Sequence, residues 1–332
     1  MDSHNYPMPP HTHGKDGKQR RIGVELEMNG LSLDRLADLA ADFLGCRTER
    51  SSRYERTLIG DPAGDWIVEL DFALLKQLGR EQRDNNQLSD ELMSSAETVL
   101  AWLSEALVPL ELVSPPLPLE RLPQVDQLIE RLRVAGAKGT SDQLTNAFGM
   151  QLNPEVADSS AASLLAHLQA FLCLHDWLRQ RCDIDLTRRL TSYVDPFPAE
   201  YLQRVLDDNY QPDLPTLIDD YLQYNPTRNR ALDMLPLFRH LDEQRVTRAI
   251  DDSRIKARPT FHYRLPDCRI DQPGWGVRDA WEDWLQVERL AAQPQRLAAC
   301  RRACLEHLDG GLMRLLDDWP AQVEQQWLTG SG

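Results

Sequence analysis

The sequence predicts an α+β fold: a curved antiparallel sheet with helices packed on its convex face, followed by a helical C-terminal region. Three observations predict it. Five short apolar segments carry polar residues at period two: Glu25/Glu27, Glu69/Asp71, Glu111, Gln151/Asn153 and His262/Arg264. Alternate side chains of a strand share a face, so each segment has one apolar and one polar side. Other stretches repeat apolar residues at helical spacing. A tight turn, Gly60-Asp-Pro-Ala-Gly64, joins two strand-like segments and favours antiparallel pairing.

Composition sets the outer bounds. The chain has 332 residues, 42% of them hydrophobic, enough for a large core with additions. A net charge of −15 argues against nucleic acid or an anionic membrane as a main partner. No run approaches the ~20 apolar residues of a membrane span, and the N-terminus lacks the apolar core of a secretory signal. Cys46, Cys173, Cys182, Cys268, Cys300 and Cys304 are scattered without a Cys-x-x-Cys pair. Neither a zinc site nor a disulfide framework is indicated, and reduced thiols in a cytoplasmic protein are expected.

Residues 1–20 carry His4, His11, His13 and three prolines and are expected to form a disordered tail. Arg21 to Asn29 reads as a strand, with Val24, Leu26 and Met28 on one face and Glu25 and Glu27 on the other. Ser32 caps a helix whose apolar positions are Leu33, Leu36, Leu39, Ala40 and Phe43, ended by Gly45. A β-compatible stretch, 47–59, leads into the turn, and 66–71 is the next strand. Helices are predicted over 89–107 and 119–134, with a short strand at 110–114 between them stopped by Pro115-Pro116. A strand follows over 146–154 and a long amphipathic helix over 159–181. Prolines break 190–240 into short helices, 259–265 is a strand bounded by prolines, and 277–328 is helical. The domain reading is a main unit over 21–270 with a helical insertion around 155–255, then a helical cap over 271–332.

Clustered carboxylates repel one another unless a cation or an arginine neutralises them. Paired glutamates on a strand therefore suit a hard cation such as Mg²⁺, which takes oxygen ligands and often phosphate with them. The plainer alternative is a half-exposed strand with an acidic face.

Gly-Val-Glu-Leu-Glu at 23–27, Trp66 through Asp71, and Glu111-Leu-Val-Ser-Pro-Pro-Leu117 follow one another in an order and spacing that resemble the amidoligase family. That family is related to glutamine synthetase and glutamate–cysteine ligase. Gly149-Met-Gln-Leu-Asn153 resembles its Gly-x-His-x-His strand, and Thr260-Phe-His-Tyr-Arg264 its Thr-x-Glu-x-Arg strand. The resemblance implies a glutamine synthetase-like half-barrel over about 21–265 and ATP-dependent amide or isopeptide formation with Mg²⁺ or Mn²⁺. It makes Glu25, Glu27 and Glu111 metal ligands. It gives Arg264, Asp71 and His262 as the catalytic set, with Arg264 on the phosphate or acyl phosphate. Gln151, Asn153, Arg228 and Arg230 would contact the cofactor; for the two arginines a capped helix start on the surface is the alternative. Substrates would be small-molecule or peptide carboxylates and amines, with a glutamine amidotransferase or peptide-modification protein as partner.

Two stretches depart from the family pattern. Gln151 and Asn153 stand where histidines are expected, and His262 where a glutamate is expected. Amide oxygens are weaker, uncharged ligands. The departures motivate a second reading, an inactive binding or scaffold protein on the same fold. The same carboxylates would also serve a metal-dependent hydrolase.

Overall fold

A computed structural model of the chain describes residues 6–70, 109–140, 148–182, 195–310 and 318–329. The expected helix over 89–107, the expected catalytic residue Asp71 and the first two residues of the 146–154 strand lie outside the described residues.

Strand β1 (Arg21–Met28) is the spine. Its Ile22, Val24, Leu26 and Met28 are almost completely buried, which fixes which face turns inward. Gly30, at φ 83, closes the strand; a Cβ there would meet the Gly136 carbonyl oxygen at 2.4 Å. Helix α1 (Leu33–Leu44) begins at Ser32, whose Oγ accepts from the Arg35 N–H, and ends at Gly45 in the left-handed region, φ 70. The stretch over 47–59 forms two strands, β2 (Arg47–Arg50) and β3 (Glu55–Ile59). Then come β4 (Trp66–Leu70), β5 (Leu110–Val113) and β6 (Leu117–Pro118). A 3₁₀ turn leads into α2 (Leu122–Val134), and β7 (Met150–Pro154) follows.

These strands form one seven-stranded antiparallel sheet in the order β2-β3-β4-β5-β1-β6, with β7 also on β1. Between β5 and β6 the prolines cannot donate to a ladder. Ser114 bridges the gap: its N–H reaches the Val24 carbonyl at 2.9 Å, and its Oγ accepts from the Val24 N–H at 2.8 Å. Beyond β7 the chain over 259–268 adds a further extended segment through paired bonds between Leu152 and Tyr263, both 2.9 Å. Residues 231–233 add another, from Asp233 N–H to the His262 carbonyl and from Arg264 N–H to the Ala231 carbonyl.

The helices pack on the apolar side. Helix α1 lies on β3 and β4. Helix α3 (Ala161–Arg181) runs beneath the 259–268 segment, where His167 stacks on Phe261 and Phe171 meets Tyr263 edge-on. Short helices α4 (Ala199–Leu206), α5 (Leu214–Tyr224), α6 (Leu235–Leu241) and α7 (Glu243–Ala249) follow. The C-terminal region is helical as expected: α8 (Val277–Ala291), α9 (Pro294–Asp309) and α10 (Trp319–Gln322). Helix α8 belongs to the core, since its Trp284 packs on both Phe261 and Tyr263.

From Tyr6 onward the segment expected as a disordered tail is packed. Tyr6 hydrogen-bonds Asp126, the Trp281 indole donates to the Pro7 carbonyl at 2.9 Å, and buried Arg20 grips Glu288 with two bonds of 2.8 and 2.7 Å. A polar composition reads as disorder only when its polar groups have no fixed partners, and here they have them. Among the described residues no helix is long and apolar enough to cross a membrane.

Candidate active site

Residues directly opposite on antiparallel strands share a face, with Cβ atoms about 4.5–5.5 Å apart. The register therefore assembles the polar face row by row. Glu55, Glu69, Glu111 and Glu27 stand opposite one another across β3, β4, β5 and β1. In the neighbouring row Glu25 faces Gln151. Past β7 the Leu152–Tyr263 pairing sets Gln151 against Arg264 and Asn153 against His262, with Asp233 next along. The face thus runs from carboxylates at one end to guanidiniums at the other.

The residues that depart from the family pattern all bond to this row. Gln151 Nε2 donates to Glu27 Oε1 at 2.8 Å, and the Gly149 N–H donates to Glu27 Oε2 at 2.7 Å. Asn153 Nδ2 donates to Glu25 Oε1 at 2.8 Å, while Asn153 Oδ1 lies 2.6 Å from His262 Nδ1. A carboxylate only accepts, so the Asn153 amide must turn its oxygen to the ring, and the ring must donate from Nδ1. The lone pair of neutral His262 is then on Nε2. Burial holds His262 well below its usual pKa; the pull of Glu25 opposes this, and Arg258, Arg264 and Arg228 add to it. The ring is neutral at pH 7.

Arg258 pairs with Glu25 through Nη1 at 2.8 Å. Burial would raise the Glu25 carboxyl, but the Arg258 charge, with hydrogen bonds from Arg258 and Asn153, holds it below the usual carboxylate range. Asp233 is fully buried, and burial pushes its carboxyl up to about 6, only partly opposed by the Leu235 N–H and by Arg264, Arg228 and Arg258. Arg264 donates to the Arg228 carbonyl oxygen.

Three expectations meet the geometry differently. Glu27, Glu111, Gln151, Asn153, His262, Arg228 and Arg264 come together with Glu25 on or beside this face. Arg230 does not join them. It donates to Asn225 Oδ1 at 2.8 Å and to the carbonyls of Pro196 and Tyr224, and its guanidinium lies over Phe197. It ties the 195–197 segment to the end of α5. The third concerns metal. Among the described residues no group of three or more His, Cys, Asp or Glu is arranged to hold a metal ion. Glu25 presents an oxygen already taken by a guanidinium and an amide N–H. Each Glu27 oxygen also accepts an N–H, from Gln151 and Gly149, but no guanidinium opposes its charge in those bonds; with Glu111 it makes an oxygen pair of the kind a hard cation takes.

Arg258 is the site residue that the sequence reading missed. Parity does not place it, because the chain bends at Pro259, between Arg258 and the extended residues Thr260, His262 and Arg264. Pro259 bounds the predicted strand, and Arg258 falls just outside it.

The family model described as "Putative amidoligase enzyme" matches residues 18–286, from just before β1 into α8, and takes in every segment of the polar face. No curated protein and no solved structure matches the chain. By this match, over most of its length and across the whole of this site, the chain belongs to the amidoligase family.

Proposed function

We propose that the chain is an ATP-dependent carboxylate–amine ligase within the wider glutamine synthetase and glutamate–cysteine ligase superfamily. The observation that carries the reading is one sheet face with Glu27 and Glu111 side by side toward one end and Arg264, Arg258 and a neutral His262 toward the other. A carboxylate is a poor electrophile, so ATP first phosphorylates its oxygen and ADP leaves. The amine nitrogen then bonds to the acyl carbon, the carbon–oxygen bond breaks, and phosphate departs. Arg264 holds phosphoryl oxygens through its planar fork. His262 takes the amine's proton at Nε2, because Nδ1–H is committed to Asn153. Glu27 and Glu111 would hold Mg²⁺ or Mn²⁺, which would supply neutralisation of phosphate charge. Asp71 belongs to the same proposal through its period-two relation to Glu69. The acid and amine are small molecules or peptides, in a cytoplasmic setting, with an amidotransferase or peptide-modification protein as partner.

A second reading is an inactive binding protein, favoured by the engagement of Glu25 with Arg258 and Asn153. The test is ADP release by the purified chain over panels of acids and amines with Mg²⁺. The ligase reading expects release that needs both substrates and is lost in Glu111→Gln and Arg264→Met. Nucleotide binding without release under any pairing supports the second reading.

A further inference from the structure

Helix α3 is buried over most of its circumference between Leu164 and Leu178. One side meets the 259–268 segment through His167 and Phe171. Helices α9 and α10 pack against it as well. Helix α9 buries Leu297, Cys300, Cys304 and His307, a single stripe at helical spacing. Two of those four residues are cysteines, and α3 brings a third to them. The Cys173 thiol lies within hydrogen-bonding reach of the thiols of both Cys300 and Cys304. Cys173 and Cys300 are wholly buried, and Cys304 is 4% exposed. The C-terminal segment packs beside all three. The Trp319 indole donates to the Cys173 carbonyl at 3.0 Å and stacks on His307, one turn past Cys304, with ring centroids 5.4 Å apart.

A buried cysteine by itself behaves as a small apolar residue. Three that meet have a chemistry no other apolar cluster has, because two facing sulfurs can be joined by loss of two electrons. Geometry selects which two. A disulfide needs Cβ atoms about 3.5–4.5 Å apart, whereas residues four apart on a helix hold theirs at about 5–6 Å. Cys300 and Cys304 therefore cannot bond to each other without distorting α9, while both face Cys173 across the α3–α9 contact. Burial, reinforced by the neighbouring thiols, pushes the Cys173 thiol well above its ordinary range, so the cluster reacts slowly and rests reduced. The other three cysteines lie elsewhere: Cys46 after α1, Cys182 at the end of α3 and Cys268 in the 259–268 segment.

We propose that Cys173, Cys300 and Cys304 form an oxidisable thiol triad, in which Cys173 joins Cys300 or Cys304 and staples α3 to α9. The oxidant is a hydroperoxide. One sulfur attacks its O–O bond, giving a sulfenic acid and, from hydrogen peroxide, water. A facing thiol sulfur then bonds to the sulfenic sulfur, and its S–O bond breaks to release a second water. The two sulfurs lose two electrons, and the O–O bond accepts them. The third thiol stays beside the new bond, where exchange passes the bond between the two α9 cysteines. The proposal is independent of the ligase reading, since the triad sits among the helices on the apolar side of the sheet.

Peptide mapping of the full chain tests it. The folded protein is treated with hydrogen peroxide, its remaining thiols are alkylated in denaturant, and its cross-linked peptides are identified by mass spectrometry. A link from Cys173 to Cys300 or Cys304 is expected. The thermal midpoint should rise by about 5 °C or more, because the bond closes a long loop. Dithiothreitol should reverse both changes. Cys46→Ser should keep the link and the rise, whereas the Cys300→Ala/Cys304→Ala double variant should show no rise. The mapping on wild type needs no variant, so it decides the matter even where the double variant does not fold. A Cys300–Cys304 link, a link that reaches Cys173 only in urea, or a folded wild type with no link at Cys173 overturns the proposal.

Discussion

Asn153 faces its neighbours with both halves of its amide: Nδ2 to Glu25 Oε1 at 2.8 Å and Oδ1 to His262 Nδ1 at 2.6 Å. An amide in this position relays no proton, but it fixes the tautomer of the ring beside it. Replacing Asn153 with Leu keeps the volume and removes that constraint. ¹⁵N NMR of wild type at pH 7 is expected to show a protonated Nδ1 and a bare Nε2 for His262. In the variant the Nε2–H form should appear. Turnover should fall by about a hundredfold, with little change in KM. A His262 spectrum identical in the two proteins would sink the tautomer argument.

Glu25→Gln is expected to lower stability. Glu25 is not one more member of a repelling carboxylate group, since its charge is matched by Arg258 in a largely buried pair. Removing one partner strands the other, at a cost of about 1–3 kcal/mol. The sign of the pH dependence follows. Because the folded carboxyl is held below its ordinary range, the pair's contribution is full above the unfolded pKa of about 4. It is lost as pH falls through the folded value. Urea melts at pH 7 and pH 3 should show a wild-type advantage at the first that shrinks at the second.

How much of this was legible in the sequence depends on the range of the physics involved. Alternation in 21–28 and 150–154 sorts the two faces of β1 and β7, because alternate side chains of a strand share a face: Val24, Leu26 and Leu152 on the apolar one, Glu25, Glu27, Gln151 and Asn153 on the polar one, though both faces are buried. Ser32 and Gly45 marked α1 because caps are local chemistry. Partnership was not legible. That Glu25 would meet Arg258, 233 positions away, depends on the order of β1, β7 and the 259–268 segment. That Arg20 would be buried against Glu288 depends on α8 reaching the N-terminal segment. In both cases composition gave the charge, and topology alone gave its counter-charge.

Arg230 tests the same distinction within one short segment. Its guanidinium is spent on Asn225, two backbone carbonyls and the Phe197 ring. Arg230→Leu should therefore lower stability by about 2–4 kcal/mol. Nucleotide binding by the protein that remains folded should be unchanged at low temperature. Arg228→Met, two residues earlier, should do the reverse. Thermal melts and calorimetry on the two variants separate the roles; matching behaviour would erase the distinction drawn between them.

Asp233 offers the last check, through pH. Its carboxyl is fully buried and is pushed up to about 6, so in the folded state it holds its proton to higher pH than in the unfolded chain. Between about pH 4 and 6 the folded state binds more protons than the unfolded one, and stability must fall as pH rises through that window. The cost reaches at most about 3 kcal/mol, two pKa units at roughly 1.4 kcal/mol each. Asp233→Asn cannot ionise and still offers an oxygen to the Leu235 N–H, which Asp233 Oδ1 accepts at 2.9 Å. Its stability relative to wild type should therefore climb from pH 4 to pH 7. Asp283, also pushed up to about 6 by burial, acts alike in both proteins and cancels from the difference. A difference that stays flat across the window would mean that Arg228, Arg258 and Arg264 fully compensate the Asp233 charge. The buried Asp233 charge would then cost the fold nothing at pH 7.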